Sequence, residues 1–260
     1  LYIIAWIFKK PIFGKGGTWS AAVAVAGNII GLIMRWQESY QLGIGHAPLS
    51  NLYESLVFFS ATIATIYLFA EIRYKNRIMG AFTMPFAFLA IAYASLNPEV
   101  NDRIMPLLPA LKSNWLIAHV ITCFIGYGGF TVSIGMSLMY ILKKWNPSVL
   151  EYFLAKFPQT SHLDEVNHQM VKFGFLFLTV GIITGAVWAN SAWGRYWGWD
   201  PKETWSLITW LIYAAMLHFR YMLAWRGTRF AVFSVIGFSA MLFTYFGVNL
   251  LPGLHSYGAQ

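Results

Sequence analysis

Charge is scarce in this chain. Asp, Glu, Lys and Arg make up only 11% of its 260 residues, against roughly 25% in an average soluble domain. With 58% of the residues hydrophobic, one water-soluble core could not hide the apolar surface, so the expected class is a polytopic membrane protein. Cysteine is nearly absent. The single one, Cys123, lies inside an apolar run, which excludes a disulfide framework or a cysteine-built metal centre within the chain. Acids are few as well, 10 against 18 Lys and Arg, for a formal charge of +8. Such an excess could suggest nucleic acid, but the basic residues gather at the ends of apolar runs, as membrane orientation requires. No nucleic-acid partner is expected. A signal-peptide pattern is also lacking. The opening stretch "LYIIAWIF" meets Lys9 and Lys10 after eight residues, too few to span a bilayer. The expectation is a processed or cut piece of a longer polypeptide.

Long apolar runs fill most of the remainder. Hydropathy predicts one truncated span and about seven fuller ones, at 1–8, 18–36, 50–71, 78–96, 114–142, 166–189, 203–225 and 230–251. The expected fold is an all-α polytopic bundle, with 1–260 forming a single transmembrane domain. Thirteen basic residues fall on one side of this layout and five on the other. The positive-inside rule then makes the segments 37–49, 97–113, 190–202 and the tail after 251 external. The inner stretch 145–165 reads as a short interfacial helix broken at Pro158. No fixed-period repeat or low-complexity tract interrupts the pattern.

Six histidines are the candidate ligands. His162 and His168 fall in or near the inner polar loop and read as solvated or capping residues. His46 reads as a turn residue ahead of Pro48, with Ser50 or Asn51 capping the next helix. His119 is about five residues into its span, roughly 7 Å below the outer surface, and His255 follows the last span on the same side. The two are either unrelated interfacial residues or the axial pair of one haem iron. His218 lies about fifteen residues down its helix from Glu203, roughly 22 Å from the outer edge. An ionisable group at that depth is costly without a partner. It either hydrogen-bonds a neighbouring helix or ligates a second, deeper haem whose other ligand is supplied from elsewhere.

Six of the twelve tryptophans lie between Trp188 and Trp210. An interfacial aromatic belt accounts for a few of them, but not for this density or for the polar groups embedded in it. Trp193, Trp197 and Trp199 are separated by Gly194 and Gly198, and glycine lets backbone approach a flat partner closely. The reading is a flat aromatic floor for haem. Asp200 before Pro201 is placed to cap the next helix, with Glu203 in its first turn. Arg195 and Lys202 offer positive charge for haem propionates.

"WGRYWGWDPKETW" fits the WG-x-x-W-x-WD-x-x-E signature of the WWD haem-handling superfamily. Its continuation "DPKETWSLITWLIYA" resembles the CcsA (ResC) family, the membrane component of the system II cytochrome c synthase. "HAPLSNLYES" (46–55), "NWLIAHV" (114–120), "LHFR" (217–220) and the tail histidine extend the resemblance over most of the chain. The resemblance implies a lyase-type synthase component that carries haem b outward and joins it to the CXXCH thiols of apocytochrome c. It implies His119 and His255 as catalytic residues and ligands of the outer haem, and His218 as one ligand of an inner haem. It places the cofactor-binding residues Trp193, Arg195, Trp197, Trp199 and Asp200 in an external segment, 190–203. It further implies CcsB (ResB), separate or fused upstream, and thiol-reducing partners. The setting would be a bacterial cytoplasmic membrane with the tryptophan loop facing the periplasm or exterior, or a thylakoid membrane.

Three other readings are open to the residues themselves. A quinol-oxidising b-type cytochrome would usually stack His pairs on shared helices, whereas His119 and His218 each stand alone. A haem exporter without ligase activity differs little in sequence, because thioether formation needs no added catalytic side chain. A solute transporter would want broken helices and buried mid-membrane charges, and Glu54 is the only acid read as interior to a span.

Overall fold

The structure, a computed structural model, describes residues 1–145 and 154–253. Among these, all regular structure is helical: α1 (Tyr2–Phe8), α2 (Pro11–Gln41), α3 (Leu52–Tyr74), α4 (Gly80–Leu96), α5 (Asn114–Trp145), α6 (Thr160–Trp193), α7 (Pro201–Met222) and α8 (Thr228–Tyr245). The expected all-helical membrane fold is borne out, with longer helices than hydropathy marks. α2, α5 and α6 contain 31, 32 and 34 residues. At 1.5 Å per residue they reach about 45–50 Å, well beyond a hydrocarbon core of about 30 Å. Their polar ends are helical too, so Lys15 and His162 lie on helices rather than in loops, and His168 lies two turns inside its helix rather than at its start. Five helices are long and apolar enough to cross a membrane: α2, α3, α5, α6 and α8. α4, with 17 residues, sits at the lower length limit. α7 has the length, but the indoles of Trp205 and Trp210, the imidazole of His218 and the charges of Lys202, Glu203 and Arg220 make it less apolar than α3. Pro158 lies just before α6, and much of the expected inner helix, 146–153, lies outside the described residues.

The chain divides into two compact units. The first comprises Leu1–Lys112 and Leu142–Gln159, with α3 packed between α2 and α4 around Leu56, Ile63 and Tyr67. α3 starts at Asn51, whose Oδ1 accepts the Glu54 N–H at 2.8 Å, the N-cap that the sequence suggests. Glu54 is fully buried. Its carboxylate accepts from Arg35 Nε at 2.6 Å and from the Ser50 N–H and hydroxyl, each at 2.8 Å. A second buried acid, Glu71, sits at the other end of α3 and accepts from the hydroxyls of Tyr2 and Tyr67, each at 2.7 Å. Glu54 is therefore not the sole acid within a span. Both carboxylates are fully partnered, as burial of charge demands, and they tie helices together rather than line a transport path.

The second unit, Ser113–Ile141 and Thr160–Gln260, carries the site. α5 and α6 approach at glycines. A Cβ on Gly126 would meet the Gly174 carbonyl at 3.0 Å, and one on Gly174 would meet the Phe130 ring at 2.6 Å. Small residues permit such close approach in membranes, where dispersion and interhelical hydrogen bonds replace the hydrophobic drive. Phe130 stacks on Tyr213 of α7 with centroids 3.6 Å apart and planes 3° from parallel. Asn167 on α6 accepts from Ser133 of α5 at 2.6 Å and from Ser234 of α8 at 3.1 Å, and donates to Ser137 at 2.8 Å. Arg220, near the end of α7, donates to Asp164 Oδ2 at 2.7 Å, and the Gly227 N–H donates to Asp164 Oδ1 at 2.7 Å.

Candidate functional site

His119 sits in the second turn of α5, against α6. Its Nδ1 lies 2.7 Å from the Gly181 carbonyl. Its ring stacks beside Trp188, centroids 6.0 Å apart and planes 17° from parallel. Trp188 in turn touches Trp193, 5.0 Å away and tilted by 60°. Gly181, Gly185 and Trp188 recur at spacings of four and three, so they share one face of α6. His119 is thereby linked through Trp188 to the first tryptophan of the external segment. The Cys123 sulfur lies 3.6 Å from the same Nδ1.

The segment between α6 and α7 is shaped by Asp200 and Glu203. Asp200 Oδ1 accepts the Lys202 N–H at 3.0 Å, and Glu203 reaches back to accept the Asp200 N–H at 3.2 Å. The capping role expected of this pair is present, in the form of a capping box. Glu203 also accepts the Gly198 N–H at 2.7 Å. One carboxylate thus grips the loop on both sides of Trp199, whose φ of 58° is unusual for a residue other than glycine. Trp199 is 69% exposed and Tyr196 60%. Trp197 and Trp199 meet edge to face, planes 88° apart with centroids at 5.8 Å. These rings do not make one flat floor. Aromatic quadrupoles favour edge-to-face contact, so neighbouring indoles turn on one another and offer separate surfaces. Trp205 and Trp210 are structural: Trp205 packs on Phe243 at 4.3 Å, and the Trp210 indole donates to Thr179 at 2.9 Å.

Arg195 is exposed, and its guanidinium lies over Gly198, where a Cβ would come within 2.6 Å of Nε. Lys202 Nζ donates to Asn249 Oδ1 at 3.1 Å. The chain returns to this loop at Gly253, where a Cβ would stand 2.6 Å from Asp200 Oδ2. His255 follows two residues later and lies outside the described residues. His218 is exposed on α7, so its imidazole faces away from the packed interior of its own unit. Among the described residues no three His, Cys, Asp or Glu side chains are grouped to hold a metal ion.

The remaining histidines divide. His46 is buried, with Nδ1 2.9 Å from the Ala47 carbonyl and Nε2 3.0 Å from that of Met105; it organises an outer loop, as its turn context suggests. His162 is half-buried in the first turn of α6. His168 is neither solvated nor a cap. It is 8% exposed, set between Tyr221 and Phe230, and neither ring nitrogen makes a hydrogen bond. Hydropathy puts it at the very start of the 166–189 span, beside the loop, because the polar residues before it mask six further helical residues.

Removing the Glu203 carboxylate tests this local design. Glu203→Ala is expected to cost about 1 kcal/mol in α7 capping and to speed amide exchange at Gly198 and Asp200. Unchanged exchange at both amides would contradict the grip described above.

The sequence matches the family model described as "Cytochrome C assembly protein" over residues 49–255. It is 40% identical over 236 residues to cytochrome c biogenesis protein CcsA of Chlamydomonas reinhardtii, covering 87% of this chain and 64% of that one. It is 38% identical to CcsA of Guillardia theta, covering 99% and 90% of the two chains. CcsA of Gloeobacter violaceus is 36% identical, at 99% and 91% coverage. The tryptophan loop, His119 and His218 all fall within the matched segment, and the chain belongs to the CcsA family of cytochrome c assembly proteins.

Proposed function

We propose that this protein acts in cytochrome c maturation by presenting haem at the outer membrane face for attachment to apocytochrome c, in complex with a CcsB partner. The observation that carries the reading is His119. Its imidazole is anchored through Nδ1 to a backbone carbonyl and stacked beside Trp188, which leads into an exposed loop of tryptophans. A histidine that ligates a metal commonly donates its other ring N–H to such an acceptor. His119 and His255 would hold the outer haem from opposite sides. The return of the chain to Asp200 at Gly253 supports that pairing. Trp193, Trp197 and Trp199 would contact the ring edge and face. Arg195 is exposed and available to propionates, whereas Lys202 already bonds Asn249.

When bound, haem supplies the vinyl groups that take up the CXXCH thiols. The side chains of this protein supply placement, a water-poor aromatic surround and charge near the propionates. His218 would contribute one ligand to an inner haem. Its exposure on α7 supports a partner-facing position, because an imidazole turned towards lipid would lack any hydrogen-bonding group. CcsB would bring the second ligand, and thiol-reducing partners would keep the substrate cysteines free. Relatives from cyanobacteria and plastid-bearing organisms support a thylakoid or bacterial cytoplasmic membrane, with the loop facing away from the positive side.

Purified complex, supplied with reduced haem and an apocytochrome bearing CXXCH, should yield thioether-linked product. Haem released without adduct would favour an exporter instead, and quinol-dependent haem reduction a b-type cytochrome.

A further inference from the structure

We infer that the Gly181–Gly185–Trp188 face of α6 is a positioning element that sets the tautomer and ring plane of His119 for the outer haem. The inference rests on the reading above that His119 is an outer ligand.

The tautomer follows from the acceptor. A backbone carbonyl can only accept, so the 2.7 Å contact between Nδ1 and the Gly181 oxygen requires the proton on Nδ1. Nε2 is then the nitrogen whose lone pair can be given to iron. The Thr184 hydroxyl donates to the same carbonyl at 3.1 Å and to that of Val180 at 2.8 Å. The ring plane follows from Trp188, 17° from parallel.

The room for the ring comes from Gly185. A Cβ there would stand 2.6 Å from Nδ1 and 2.8 Å from Cε1 of His119. Real Cβ atoms are not found at such distances, and the imidazole is already held by a hydrogen bond and a stack, so any side chain at 185 would drive the ring from its slot. Gly126 and Gly174 serve a different purpose, since an added Cβ there would meet facing backbone as well as side chains. Gly185 is the one whose Cβ would meet the imidazole. Glycine within a helix costs about 1 kcal/mol relative to alanine, and at 185 the slot supplies the reason for it.

The test uses the full chain purified with its CcsB partner and loaded with haem. Gly185→Ala should weaken outer haem retention roughly 10–100-fold, the range seen when a ligand's supporting group is lost. The low-spin bis-imidazole spectrum of that haem should give way to a high-spin one. Added imidazole should restore the low-spin spectrum, and Gly185→Ala should add no further loss in a His119→Ala background. If Gly185→Ala keeps the parent spectrum and haem content while His119→Ala loses them, the positioning role is wrong and the ligand reading stands. If imidazole restores His119→Ala but not Gly185→Ala, the effect is on folding and the inference is likewise overturned. An unaltered spectrum in His119→Ala itself would remove the ligand reading.

Discussion

Cells carrying His119→Ala together with His255→Ala should mature cytochrome c at least about 100-fold more slowly than the parent. Losing only the group that hydrogen-bonds a ligand costs roughly 10–100-fold, and here both proposed ligands of one iron are removed. Imidazole in the growth medium should recover part of the rate, because a small exogenous base can occupy the space each side chain vacates. The recovery separates lost ligation from lost folding. His119 is half-buried between α5 and α6, so its truncation leaves a gap next to Gly181 and Gly185 without breaking the α5–α6 contact at Gly126 and Gly174. Protein level in the membrane should stay near that of the parent. Maturation at the normal rate without added imidazole would end the proposal that this pair presents haem.

The largest loss of stability is expected from Arg220→Ala. The Arg220 and Asp164 side chains are 4% and 9% exposed and meet at 2.7 Å. Removing one partner of a buried pair typically costs about 3–5 kcal/mol, since the remaining charge keeps its desolvation penalty. In a chain of this size that corresponds to roughly 10 °C in unfolding midpoint, measurable by thermal denaturation in detergent. Asp164→Asn added to Arg220→Ala should recover much of the loss. The amide removes the orphaned charge and still offers an oxygen to the Gly227 N–H, which Asp164 accepts at 2.7 Å. If the double variant were no more stable than Arg220→Ala, the cost would lie in lost packing of Arg220 over Phe230, whose ring centroid is 4.9 Å from the guanidinium.

Local chemistry was readable from the sequence. Asn51 and Asp200 announce their helices because an N-cap depends on residues within three positions, and both caps form. The order of helices survives because apolar length is a local property, although five of them, not about seven, are long and apolar enough to cross a membrane among the described residues. What escaped is long-range or depends on which side of a helix faces protein. His119 and Gly181 are 62 positions apart, and nothing near either one shows that they meet. Gly185 looks like an ordinary membrane glycine until the imidazole occupies its missing Cβ. Glu71 lies on a helix with apolar residues on all sides, and His168 among polar residues near the start of one, so hydropathy does not show that either side chain faces a packed interior. The tryptophan loop shows both limits. Its density marks the place, but the 88° between Trp197 and Trp199 follows from how neighbouring rings settle.

The left-handed turn at Trp199, clamped by Glu203 through the amides on either side, bears on the thermodynamics of docking. A slack loop would surrender conformational freedom on meeting a planar guest, roughly 1–2 kcal/mol for each backbone residue immobilised. Here that freedom has already been given up during folding, so the indole stands ready and little of the association energy goes into stilling the peptide chain.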